Sequence, residues 1–191
     1  VDLKLCHGYL GSQILRPYNS RDWKYGGSWE NRSRFAYDLY ERIAKAVNDP
    51  DFLIGSKISM WEGFPGGFGT PSPDSVLIDM TEPLDLIKGL EERGAQYFVE
   101  TLGSPSITVS LVQAEKKHPY IAYLHQTFQK AIKDAVKPET VVIGSNYSVY
   151  GKGNKNLQAC DPKENTLLKV GARAIENNIC DMVALGRQSL A

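Results

Sequence analysis

The chain has 191 residues, with 22 basic against 22 acidic side chains and three histidines. That length is enough for one compact domain with a substantial core. The even charge balance excludes a whole-molecule drive towards nucleic acid or an anionic membrane.

The first element in chain order is a short strand, VDLKLC, from Val1 to Cys6. Gly26-Gly27-Ser28 then precede a predicted helix with Ser28 as N-cap, in which Phe35, Leu39, Ile43 and Val47 form an apolar stripe. FLIGSKISM, from Phe52 to Met60, reads as the second strand, and six glycines and prolines between Gly63 and Pro71 exclude regular structure after it. PLDLIKGLEERG reads as a helix with Pro83 in its first turn and Gly94 at its end. AQYFVETLG follows as a strand, and Ile121, Leu124, Phe128, Ile132 and Val136 mark the next helix. TVVIGSN is a buried-type strand. The last helix is expected over DPKENTLLKVGARAIENN, with Asp161 as cap, Pro162 at N1 and Glu164 at N3, before a final strand in CDMVALG.

Strands and crossover-length helices therefore alternate through five strands and four helices, which predicts a parallel α/β sheet. A doubly wound sheet and a (β/α)8 barrel both fit this order. A full barrel needs about 250 residues. This chain opens inside a strand and closes on GRQSLA, so it is expected to be an excerpt of a longer protein. Were it a barrel, the chain would be a single domain over residues 1–191, the C-terminal part of a TIM barrel covering about strands four to eight. No apolar run approaches the roughly 18 residues of a spanning helix. No signal peptide is expected, and Cys6, Cys160 and Cys180 make neither a CxxC pair nor a disulfide framework. A cytoplasmic protein with reduced thiols is the expectation.

Chemistry concentrates at the end of the first strand. KLCHGYLGSQ brings Lys4, His7 and Tyr9 within six residues. Taken singly, Lys4 reads as a strand cap pointing to solvent, His7 as a satisfied structural histidine and Tyr9 as a packing aromatic. The longer segment changes the weighting: His7-Gly8-Tyr9-Leu10 is followed by Tyr25-Gly26-Gly27-Ser28, Glu30-Asn31-Arg32 and Arg34-Phe35. These two blocks, at this separation, resemble the loop after the fourth strand in the Old Yellow Enzyme family of NADH:flavin oxidoreductases, in its 2,4-dienoyl-CoA reductase-like branch. DMVALGRQSLA resembles that family's last barrel strand.

The resemblance implies an FMN-dependent enzyme that passes hydride from NADH or NADPH to the activated C=C of an enone or dienoyl substrate. It implies that His7 hydrogen-bonds substrate carbonyl and flavin, and that Tyr9 protonates the carbon alpha to that carbonyl. Lys4 stands where the family's first histidine or its equivalent sits, and Lys57, in Lys57-Ile58-Ser59, stands where an arginine faces the flavin's pyrimidine edge. A salt bridge to a carboxylate is the competing role for Lys57. Gly144, Ser145, Gly186 and Arg187 lie where the flavin phosphate is held, although Ser145 and Asn146 replace the family's second glycine. The competing roles are an ordinary strand-to-helix turn and a surface arginine.

Other residues read as structural. Trp23, Trp29 and Trp61 are packing or rim residues, Gly103-Ser104-Pro105 line a mouth or make a plain turn, and Arg32 and Arg34 knit the helix start to the loop before it. Glu91-Glu92 are a solvated helix face. His118 and His125, seven apart on one helix without a third ligand, argue against a metal. Two rival functions remain: a phosphate-binding barrel enzyme using Lys4 or Lys57 as a Schiff base, and an inactive scaffold that self-associates through exposed barrel edges. The piece alone is expected to be inactive. The partner expected of the enzyme is a small-molecule alkene, without nucleic acid or membrane.

Overall fold

A computed structural model describes residues 1–114, 119–150, 163, 165–186 and 189. The elements are β1 (Asp2–Leu5), α1 (Leu10–Leu15), α2 (Trp29–Val47), β2 (Gly55–Ser59), α3 (Thr81–Glu92), β3 (Tyr97–Thr101), α4 (Val109–Val112), α5 (Pro119–Ala135), β4 (Val141–Gly144), a 3-10 turn (Tyr147–Tyr150), α6 (Leu167–Glu176) and β5 (Met182–Val183). The five strands form one parallel sheet in the order β1-β2-β3-β4-β5. A doubly wound sheet reverses its strand order at a switch point. Here each strand pairs with the one before it, as in an arc of a (β/α)8 barrel. The fold class is α/β, as expected.

Strand parity separates two faces. Leu3, Leu5, Ile58, Phe98 and Val142 point to the helices and are buried, and the main core forms there with Leu86, Ile87, Leu90, Phe128 and Ile132. Lys4, Lys57, Val99, Ile143 and Met182 sit at one register level on the opposite face. On this open face Lys4 is exposed and Lys57 half-buried.

Local sequence explains the helix limits. The Ser28 hydroxyl accepts the Asn31 N–H at the start of α2, and Asn48 closes that helix in the left-handed region at φ 49°. The expected stripe of Phe35, Leu39, Ile43 and Val47 is only half-buried. Arg32, Ala36 and Tyr40 form the deepest line, because the Arg32 guanidinium turns inward to Glu82, to the Leu15 carbonyl and to the Gly27 carbonyl. Arg34 donates to the Asn31 amide oxygen, so both arginines tie the helix start as expected.

Three expectations are corrected. The second strand begins at Gly55 rather than Phe52, because Phe52 donates its N–H to Asp49 in a turn and both Phe52 and Leu53 are exposed. The last helix begins at Leu167 with Thr166 as its cap, accepting the Lys169 N–H. Asp161, Pro162 and Glu164 lie outside the described residues, as do Cys160 and His118. Glu91 is not simply solvated: its carboxylate accepts the Lys137 N–H and the Thr140 hydroxyl and staples α3 to the start of β4. Two short helices, α1 and α4, carried no clear periodic signal.

Candidate active site

The C-terminal ends of β1, β2 and β3 gather the polar groups of the open face. The chain leaves β1 through His7 at φ 63° and Gly8 at φ 74°, both left-handed. That conformation is costly for a residue with a side chain. Two contacts hold His7 there: its N–H donates to the Ser59 hydroxyl at 3.2 Å, and its Nε2 lies 2.9 Å from the Thr101 hydroxyl. A side chain on Gly8 would put its Cβ 2.5 Å from Ser104 Oγ, so glycine is required for the loops after β1 and β3 to touch. Ser59 in turn donates to the Gly103 carbonyl at 3.3 Å.

Thr101 is buried, and its hydroxyl hydrogen has no other acceptor among the described residues. It therefore donates to Nε2 and leaves the imidazole hydrogen on Nδ1. Burial depresses the His7 pKa to about 4, helped by the nearby Lys57 and Lys4 ammonium groups and by His125. The imidazole is neutral near pH 7, with one N–H to offer.

Lys4 Nζ stands 3.8 Å from the centroid of the Tyr9 ring, a cation–π contact that holds both side chains at the rim. Tyr9 is 60% exposed there. Lys57 is the direct register neighbour of Lys4, so two ammonium groups share one level of the open face. Neither has a carboxylate ion-pair partner among the described residues. The salt bridge that competed for Lys57 is not formed. Like charges placed side by side repel; the Asp2 carboxylate on the same face attracts both, and an anionic ligand at the rim would relieve the repulsion further. Cys6 lies beneath, but burial raises its thiol pKa to about 11, which makes it a poor nucleophile.

The loops around this rim are clamped from behind. Arg16 pairs bidentately with the fully buried Glu62 at 2.6 and 2.9 Å, and Glu62 also accepts the Phe68 N–H. Thr108 donates to the Glu62 carbonyl at 2.7 Å, joining the loop after β3 to this clamp.

The whole chain, residues 1–191, matches the model of the NADH:flavin oxidoreductase / NADH oxidase family. The chain belongs to that family. It is 31% identical over 157 residues to the NADH-dependent flavin oxidoreductase nadA of Aspergillus parasiticus, covering 79% of this chain and 32% of that protein. It is 27% identical over 196 residues to the NADPH dehydrogenase of Clostridium acetobutylicum, covering 100% of this chain and 45% of that protein. A segment of 57 residues is 44% identical to the multifunctional alkene reductase/demethylase OYE of Caballeronia cordobensis, covering 29% of this chain and 8% of that protein. The chain thus spans less than half the length of these relatives.

The family's cofactors are FMN and NADH or NADPH, and the residues present fit FMN in two places. The Lys57 ammonium, half-buried on the open face, suits an electron-rich ring edge. In the loop after β4, Asn146 sits at φ 70°, and its buried amide Nδ2 has no acceptor among the described residues. A phosphate oxygen supplies what that donor lacks.

The structure accounts differently for the neighbours of Asn146. A Cβ on Gly144 would lie 2.5 Å from Gln129 Oε1, so glycine there admits a side chain from α5 on the helix side of the sheet. Ser145 faces the same way, its hydroxyl 3.4 Å from Glu100 Oε2 and its carbonyl accepting from Gln129. Gly186 is exposed, with nothing within 4 Å of the place a Cβ would take. Arg187 lies outside the described residues. Thr101, Ser59 and Asn146 escaped the sequence reading. Ser59 and Thr101 share strand parity with Lys57, and that parity is the signal that finds them.

Proposed function

We propose that this chain forms the arc of about strands four to eight of one FMN-binding barrel, in an oxidoreductase that uses NADH or NADPH to reduce the activated C=C of an enone or dienoyl substrate. The observation that carries this reading is the convergence of a neutral imidazole, an ammonium group and an exposed phenol at one rim, with a second ammonium beside them. When bound, FMN supplies the two-electron hydride chemistry between nicotinamide and alkene.

The chain's own residues do the rest. His7 and Lys4 donate to the substrate carbonyl oxygen, where negative charge accumulates as the carbon beta to it gains hydride. Thr101 keeps the His7 hydrogen on Nδ1, so the imidazole presents a donor rather than a lone pair. Tyr9 gives its phenolic proton to the alpha carbon, and solvent at the exposed rim restores it. Lys57 offsets negative charge at the flavin's pyrimidine edge. Asn146 and Arg187 hold the phosphate end, with the backbone at Gly144, Ser145 and Gly186 beside it.

The test is to load the full-length enzyme that contains this arc with FMN, reduce it anaerobically with NADPH or NADH, and follow reoxidation by an α,β-unsaturated ketone. Bound flavin absorbance and enone-dependent reoxidation are expected. A protein that stays colourless after loading overturns the proposal.

A further inference from the structure

Behind the sheet, between β3 and α5, lies a polar chain that the reaction does not use directly. Glu100 is fully buried and His125 is 1% exposed. His125 Nδ1 is 2.8 Å from Glu100 Oε1, and its Nε2 is 2.8 Å from the Leu111 carbonyl. A carbonyl can only accept, so Nε2 carries a hydrogen. The Glu100 carboxylate also receives Gln129 Nε2 at 3.0 Å and the Ser145 hydroxyl at 3.4 Å. Both donors reach Oε2, which leaves Oε1 as the acceptor facing His125 and places a hydrogen on Nδ1 as well. The ring is then an imidazolium with both N–H groups satisfied. Glu100 faces it from β3 and the Leu111 carbonyl from α4, while Lys57 of β2 opposes its charge; burial and Lys57 pull the His125 pKa down, and the contacts with Glu100 and Leu111 raise it above its ordinary value on balance.

The pair has two arms. On one side Leu111 is wedged between two loops: a Cβ on Gly63 would lie 2.2 Å from its Cδ1, and one on Gly103 2.7 Å from its Cβ. The Gly103 carbonyl receives Ser59, whose hydroxyl accepts the His7 N–H. On the other side Gln129 donates to the Ser145 carbonyl at 3.2 Å and accepts from the Tyr147 hydroxyl at 2.8 Å, bracketing Asn146.

We propose that His125 and Glu100 are positioning residues, a buried ion pair that holds the His7 loop and the Asn146 loop in register at the same rim. The pairing stands on geometry, and only the meaning of the two loops rests on the flavin reading. If one member is lost, the Leu111 wedge and the Ser145–Tyr147 turn relax together. The substrate-facing and phosphate-facing loops are then no longer set by one common support.

Two measurements test this on the intact protein without relying on FMN. In 15N NMR of the imidazole rings at about pH 7.5, a unit above the ordinary histidine range, both His125 nitrogens should be protonated, with slowly exchanging hydrogens. A pyridine-type nitrogen in that ring overturns the proposal, whatever the variants do. In Glu100→Gln, amide exchange should accelerate about tenfold or more in both Leu111–Val112 and Ser145–Tyr150, as expected when a local support is lost. Acceleration confined to one segment, or to neither, overturns the coupling. If that variant does not fold, the imidazole spectrum of the unaltered protein decides. With FMN added, the variant's dissociation constant should rise while its Tyr9-dependent proton step is retained. If the protein binds no flavin, the functional reading fails and the spectra and exchange rates still decide this pair.

Discussion

Two regions use charge in opposite ways. Behind the sheet and under the loops, the buried charges are matched: Arg16 with Glu62, Arg32 with Glu82, His125 with Glu100. At the rim of the open face, Lys4 and Lys57 stand side by side with no ion-pair partner among the described residues, the nearby Asp2 carboxylate attracting both without pairing with either. Matched charges hold loops in place. An unmatched, half-buried cation is costly to keep, and its retention points to a ligand that completes it. Substitutions on the two sides should therefore fail differently, in stability on one and in chemistry on the other.

The sharpest separation is Tyr9→Phe. Loss of the phenolic proton should slow enone-dependent reoxidation by about 10²- to 10⁴-fold, with flavin binding and thermal midpoint unchanged. An unaltered rate removes Tyr9 from the chemistry. On the matched side, Glu62→Gln leaves the Arg16 guanidinium half-buried without its anion and should cost about 3–5 kcal/mol in urea unfolding. A loss below about 1 kcal/mol, the weight of an ordinary surface pair, would erase the contrast.

Lys57→Met should reverse that pattern, with stability kept or raised and FMN affinity weakened about tenfold, the weight of one charge-assisted contact. Fluorescence titration and the same unfolding curves measure both. Thr101→Val frees the His7 tautomer and should lower turnover several-fold, at about 1 kcal/mol of stability.

The last effect is on pH. His7 is depressed from 6.5 to about 4, so below pH 6.5 the unfolded chain takes up a proton that the folded one refuses. The His7 contribution is full above 6.5 and is lost as pH falls towards 4. His7→Asn should flatten that part of the urea-midpoint profile; an unchanged slope would mean that other groups carry it.

Much of this organisation was legible in the amino-acid order. Alternating elements indicate a parallel sheet, because each crossover-length helix returns the chain to the same strand direction. His7-Gly8-Tyr9 and the Tyr25–Phe35 block mark the family and the rim, since left-handed backbone and capping chemistry depend on residues close in the chain. Element order alone leaves a barrel arc and a doubly wound sheet open; the family resemblance favoured the barrel, and the observed pairing order agrees with it. No local signal encodes Thr101 against His7, 94 residues apart, or Glu62 against Arg16, 46 apart. The same holds for His125, which the sequence offered only as an unlikely metal ligand. Hydrogen bonds across such distances depend on which strand ends the fold brings together, so tertiary packing alone decided which charges were matched and which were left without an ion-pair partner.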